Sequence, residues 1–141
     1  MVENVIAERI EDRGEPAVRT LAMPADTNPS GDIFGGWVLA QMDLAAGIVA
    51  AQRAKGRVAT AALDGMSFHK PIYVGDLVSC YAKVVRLGRS SMVVQVDTFV
   101  LRRRTGDEVK VTEGRFTLVA IDEQGRPRPV PPDEAPRRPA G

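Results

Sequence analysis

The amino-acid sequence predicts an α+β domain in which one long central helix is wrapped by a curved antiparallel β-sheet. Three observations predict it. A single long helical stretch, from Gly36 to Lys55, is apolar around nearly its whole circumference. Four strand-like segments follow it, at 58–68, 76–87, 90–104 and 108–122, separated by short turns. A helix without a polar face must be covered on most sides, which a curved sheet, or a sheet completed by a partner subunit, can do.

Each element has its own warrant. Residues 1–16 are charged and aperiodic and read as a loosely held arm. Residues 17–22 are a short strand candidate, and the domain is taken as 17–124. Met23 to Gly36 contains Pro24, Pro29, Gly31, Gly35 and Gly36, the composition of an ordered loop. The helix should end at Gly56, acting as its C-terminal cap. The segment 58–68 leads into Pro71. In 76–87, Val78, Cys80, Ala82 and Val84 share one face, while Ser79, Tyr81 and Lys83 share the other. Gly88-Arg89 and Thr105-Gly106-Asp107 supply turns for a meander. Residues 125–141 hold six of the ten prolines and no core pattern, so a disordered or surface-draped tail is expected.

Bulk composition excludes several function classes. A net charge of +1 and an aromatic fraction of 5% argue against a nucleic-acid or membrane-surface binder. One cysteine and one histidine cannot form an intrachain disulfide or a Cys/His zinc site. No basic segment followed by an apolar one opens the chain, and the apolar part of the helix is shorter than a membrane span. The expectation is a cytoplasmic protein without a metal or other cofactor.

The helix poses a chemical question, because Asp43 stands among Trp37, Val38, Leu39, Met42, Leu44, Ile48 and Val49. Its neighbours on the same helix face are Gly36, Ala40, Ala46, Gly47 and Ala50, all small. They form a trough for another backbone or a slender ligand. A buried carboxylate needs a specific environment, and no basic residue lies within one turn. Gly35-Gly36 at the helix start leaves backbone N–H groups unobstructed where negative charge is stabilised, a setting suited to a developing oxyanion. The plainer alternative is a turn that needs glycine for its backbone angles. Asn28 and Asp32 precede the helix; Asp32 reads as turn chemistry, whereas the Asn28 amide could orient a water or a carbonyl.

These residues carry a resemblance. The stretches TLAMPADTNPSGDIFGGWVLAQMDLAA (20–46), GRVATAALDGMSFHKPIYVGDLVSCYAKV (56–84) and LGRSS (87–91) resemble the hotdog-fold acyl-CoA thioesterases, closely their YciA-like subgroup. The likeness spans about 17–122. It is carried by the Asn28–Gly36 loop and an aspartate seven residues after its second glycine. It implies a hydrolase that converts acyl-CoA to free acid and CoA, with CoA entering only as part of substrate or product. It implies edge-to-edge homodimers assembled further, commonly into hexamers, with each site shared between subunits. The family's catalytic acid falls on Asp43 and its active-site asparagine on Asn28. Asp43 would act as general base or as nucleophile, with Gly36 and perhaps Gly35 holding the thioester oxygen. Gly88, Arg89, Ser90 and Ser91 would approach the nucleotide or pantetheine. Phe68, Lys70 and Arg57 are weaker substrate-binding candidates.

Other residues keep ordinary readings. His69 is a polar strand end, Cys80 an inert core thiol, Trp37 a packing residue, and Arg102-Arg103-Arg104 a solvated strand end. Two rival functions remain at this stage: a non-enzymatic acyl-CoA-binding or regulatory protein on the same fold, and a dehydratase. No DNA-binding module is appended, and a sensor needs no base at Asp43.

Overall fold

Alanine dominates the centre of the fold. Ala40, Ala45, Ala46, Ala50, Ala51 and Ala54 have high helix propensity and let neighbouring strands come close. In the computed structural model, which describes residues 13–133, they lie in a helix, α1, that spans Gly35–Ala54. The strands are β1 (Val18–Leu21), β2 (Val58–Phe68), β3 (Leu77–Leu87), β4 (Ser91–Leu101) and β5 (Glu108–Ala120). They form one antiparallel sheet in the order β1-β3-β4-β5-β2, and α1 packs against all five.

The alternation expected for β3 holds: Val78 and Cys80 are fully buried, and Ala82 and Val84 pack on the core. Met92, Val94 and Val96 of β4 and Phe116, Leu118 and Ala120 of β5 complete the inner face. Opposite them lie Val38, Met42, Ala45, Ala46, Ala50 and Ala54. Burying the Met42 side chain completely is worth roughly 1.5–3 kcal/mol. Gly114 of β5 faces side chains of both β2 and α1. A Cβ there would lie 2.9 Å from the Met66 sulfur, 3.4 Å from Leu63 Cδ1 and 3.7 Å from Met42 Cε.

The sheet does not cover the whole helix. Leu44 and Ile48 remain 57% and 41% exposed, on a helix whose apolar circumference calls for cover. Among the described residues β2 is an edge strand paired only with β5, and most of its residues are exposed. Its ladder with β5 shifts register between Thr60 and Ala62 and again between Asp64 and Ser67, the second around Gly65 at φ 61°.

Several boundaries differ from expectation. The helix begins at Gly35 rather than Gly36, and the left-handed residue at its end is Lys55 (φ 54°), not Gly56. Gly56 lies instead under the Arg128 guanidinium, whose Nη2 is 2.6 Å from where a Cβ would stand. β4 stops at Leu101, because Arg102 enters a turn in which its N–H donates to Asp107 O and its carbonyl accepts from Gly106. Arg102 is not a solvated strand end either. Its Nη1 donates to buried Asp76 at 2.6 Å and to Pro71 O at 3.0 Å, and its guanidinium lies 4.8 Å from the Tyr73 ring centre.

The ends of the chain are also more ordered than expected where they are described. Of the proposed arm, 1–12 lie outside the described residues. Arg13 stacks 3.6 Å over the Phe99 ring and pairs with Glu108 at 2.7 Å. Of the disordered or surface-draped tail expected from 125, residues 125–133 lie draped on the domain, exposed or half-buried. Arg128 N–H donates to Ala120 O and Val130 N–H to Arg89 O, while Arg53 holds Pro131 O at 2.6 Å and Asp133 at 3.2 Å. Residues 134–141 lie outside the described part.

Candidate active site

The first turn of α1 has no side-chain cap. Its N-cap is Phe34, whose carbonyl accepts from Trp37 and Val38. Among the described residues, no acceptor receives the N–H of Gly35 or Gly36. These two amides are the open donors that a helix start presents to negative charge. A Cβ at Gly36 would lie 2.6 Å from the Phe34 ring, which would have to turn aside. Gly35 has open space around it.

Asp43 lies on the same helix face, seven residues on, roughly 10 Å along the axis. Helical side chains lean towards the N-terminus, which brings its carboxylate nearer the open amides. Gly36, Leu39, Ala40 and Asp43 of α1 and Thr60, Ala61, Ala62, Leu63 and Phe116 of the sheet line one groove of about 450 Å³. Of the expected small-residue trough, Gly36 and Ala40 line this groove, whereas Ala46 and Ala50 are buried in the core, and Asp43 is exposed within the single chain rather than buried. Its partner is a hydroxyl, not an arginine: Thr60 Oγ1 donates to Asp43 Oδ1 at 2.6 Å. Thr60 was not singled out from sequence. β2 lacks clean alternation, and the register shift beside Ala61 re-aims its side chains.

The remaining candidates fall into separate places in one chain. Asn28 closes the loop between Thr27 and Ile33, which are bridged to each other. Its Oδ1 accepts from the N–H groups of Ser30 at 2.9 Å and Asp32 at 3.2 Å, which leaves its Nδ2 hydrogens for other acceptors. Gly35 and Phe68 line a second hollow of about 240 Å³ with Lys70 and His69, and Phe68 is 57% exposed. Gly88, Arg89, Ser90 and Ser91 form the β3–β4 turn, in which Gly88 N–H donates to Ser91 O and Arg89 is exposed. A Cβ at Gly88 would collide with Ser91 Oγ. Arg57 is engaged elsewhere, donating to Asp122 O and Glu123 O. Neither Asn28 nor the 88–91 turn lines the Asp43 groove of its own chain.

The other polar groups are structural. His69 Nε2 lies 3.8 Å from Glu113, whose carboxyl is held below its ordinary range chiefly by a hydrogen bond from Lys110. Burial pushes the Cys80 thiol up to about 11, opposed by a weak contact with Thr98. In the wall of another hollow, of about 940 Å³, Arg102, Tyr73 and Asp76 are committed to one another. Among the described residues, no three His, Cys, Asp or Glu side chains group to hold a metal ion, and no helix is long and apolar enough to cross a membrane.

The Asp43 carboxylate, held by Thr60, and the uncapped helix residue Gly36 share one groove on a helix packed against a sheet, an arrangement suited to hydrolysis of an acyl ester or thioester. Comparisons with known proteins agree. The Thioesterase superfamily model matches residues 30–106, more than half of the chain. The acyl-CoA thioester hydrolase YciA of Salmonella typhimurium is 47% identical over 122 residues, covering 84% of this chain and 92% of that protein. The hexameric thioesterase y2039 from Yersinia pestis is 48% identical with a TM-score of 0.81, over 85% of this chain and 98% of that one. Cj0915, a hexameric hotdog fold thioesterase of Campylobacter jejuni, is 41% identical with a TM-score of 0.82, over 85% and 92%. The chain belongs to the thioesterase superfamily, with its hotdog fold.

Proposed function

We propose that this protein hydrolyses acyl-CoA thioesters to a free carboxylic acid and CoA. The observation that carries the reading is the Asp43 carboxylate, held by Thr60 in the groove that Gly36 also lines. The activity of its 47%-identical YciA relative supports the same substrate class. Asp43 takes the proton of a water that attacks the thioester carbonyl, or attacks the carbonyl itself to give a mixed anhydride that water then hydrolyses to the free acid and the aspartate. The Gly36 amide, with Gly35 beside it, stabilises the oxygen as it gains charge. The thiolate of CoA leaves, and no metal or cofactor is needed for these steps.

Asn28 reaches the reacting carbonyl or water of a neighbouring subunit's site through its free Nδ2 hydrogens. Arg89, with Ser90, Ser91 and the Gly88 backbone, holds the phosphates or pantetheine of CoA, and Phe68 contacts the substrate. This arrangement requires a homodimer with shared sites, assembled as a trimer of dimers. Support comes from the open β2 edge, the exposed Leu44 and Ile48, and the hexameric state of the Yersinia and Campylobacter relatives. An unpaired edge of this length is otherwise a liability. We place the protein in the cytoplasm on its single-cysteine composition.

The test is thiol release from a panel of acyl-CoAs by the wild type and Asp43→Ala. Release by the wild type and its loss in the variant support the reading. Tight acyl-CoA binding with no free CoA at any chain length would establish a non-catalytic binding protein instead.

A further inference from the structure

The sequence RPRPVPP at 126–132 places proline at 127, 129 and 131, so only Arg128 and Val130 have N–H groups between them. Both are spent in one direction: Arg128 N–H donates to Ala120 O and Val130 N–H to Arg89 O, each within 2.9 Å. The prolines strip the intervening positions of donors and stiffen the segment in an extended form, lowering the entropy lost on docking. The Arg128 guanidinium also donates to Ala54 O, at the end of α1, and to Ile121 O. Arg53 clamps Pro131 and Asp133, and Val130 packs on the core. A segment with this many anchors ties the C-terminus of the helix to one carbonyl, that of Arg89.

We propose that residues 126–133 are a positioning strap for the β3–β4 turn, fixing Arg89 for the phosphates of CoA through the Val130 N–H. This rests on the reading that the turn holds CoA. The strap touches neither Asp43 nor Gly36, so it governs substrate capture rather than the chemical step.

The experiment measures KM and kcat for an acyl-CoA and for the same acyl group on pantetheine, which lacks the phosphates. Val130→Pro removes the N–H; Val130→Ala keeps it while losing the same side-chain packing. Val130→Pro is expected to raise KM for acyl-CoA roughly threefold to tenfold, the worth of one ordinary hydrogen bond, with kcat nearly unchanged and the pantetheine thioester unaffected. Val130→Ala should stay near wild type. Deletion of 126–141 reads the same split should Val130→Pro not fold. If Val130→Pro and Val130→Ala behave alike, or both substrates weaken equally, the strap is merely structural and the proposal fails. Arg89→Ala separates the two layers. A raised KM there with none in Val130→Pro overturns the strap alone. An unchanged KM in Arg89→Ala overturns the role of the turn, and this inference with it.

Discussion

Thr60 Oγ1 lies 2.6 Å from Asp43 Oδ1, joining the edge strand β2 to the middle of α1. The hydroxyl occupies one carboxylate oxygen and leaves the other available. Removing it frees the carboxylate to rotate. Thr60→Val should therefore lower kcat about tenfold, the worth of a charged hydrogen bond, whereas Thr60→Ser should retain most activity. Asp43→Asn should lose on the order of 10²–10⁴-fold while unfolding at the same temperature. Steady-state CoA release with a thermal melt checks each variant, and near-normal turnover in Asp43→Asn would remove the aspartate from the chemistry.

The two glycines at the helix start should respond differently to a methyl group. Gly35→Ala enters open space at an ordinary backbone angle and should change stability by no more than about 0.5 kcal/mol. Gly36→Ala meets the Phe34 ring at 2.6 Å; that ring is 56% exposed and can turn aside, so the cost should be about 0.5–1.5 kcal/mol. Denaturant unfolding of the pair, with Phe34→Ala added to relieve the second, tests whether the ring is the cause.

Asp76 is 2% exposed and takes hydrogen bonds from Arg102 and from the Tyr73 N–H. Arg102→Ala strands that carboxylate without its cation and should cost about 3–5 kcal/mol. The double variant Arg102→Ala/Asp76→Asn should recover part of the loss, measured as the urea midpoint. Equal stability of wild type and Arg102→Ala would show that the pair contributes nothing.

Cys80 should be chemically silent in the folded protein. Its thiol is raised from 9.0 to about 11 by burial, so the native state keeps the proton after the unfolded chain has released it. The associated stability is complete below pH 9 and is lost as pH rises from there towards about 11, amounting to roughly 2–3 kcal/mol. Unfolding free energies of wild type and Cys80→Ala at pH 8 and pH 10.5 should converge by part of that amount. A thiol reagent at pH 8 should label the chain only in denaturant.

The central helix and the strands around it were legible because both are local patterns of polarity. So was the placing of Asp43 on the same helix face as Gly36, since seven residues is two turns. Thr60 was hidden because its meeting with Asp43 depends on how β2 crosses to the far edge of the sheet, where a bulge changes its register. Lys55 took the left-handed position that glycine usually holds, and Gly56 stands beside Arg128, a residue more than seventy positions away, which no local pattern announces. The proline-rich tail was read as composition, and composition does not register the alternation that leaves Arg128 and Val130 as its paired donors.

Gly114 gives the groove an adjustable back wall. Any side chain introduced at that point of β5 presses first on the Met66 thioether, which can swing aside, and then on Leu63, which faces the groove from β2. The width available to an acyl group is thus set partly from inside the core. A single methyl added there would retune which chain lengths fit while every group that does chemistry kept its identity.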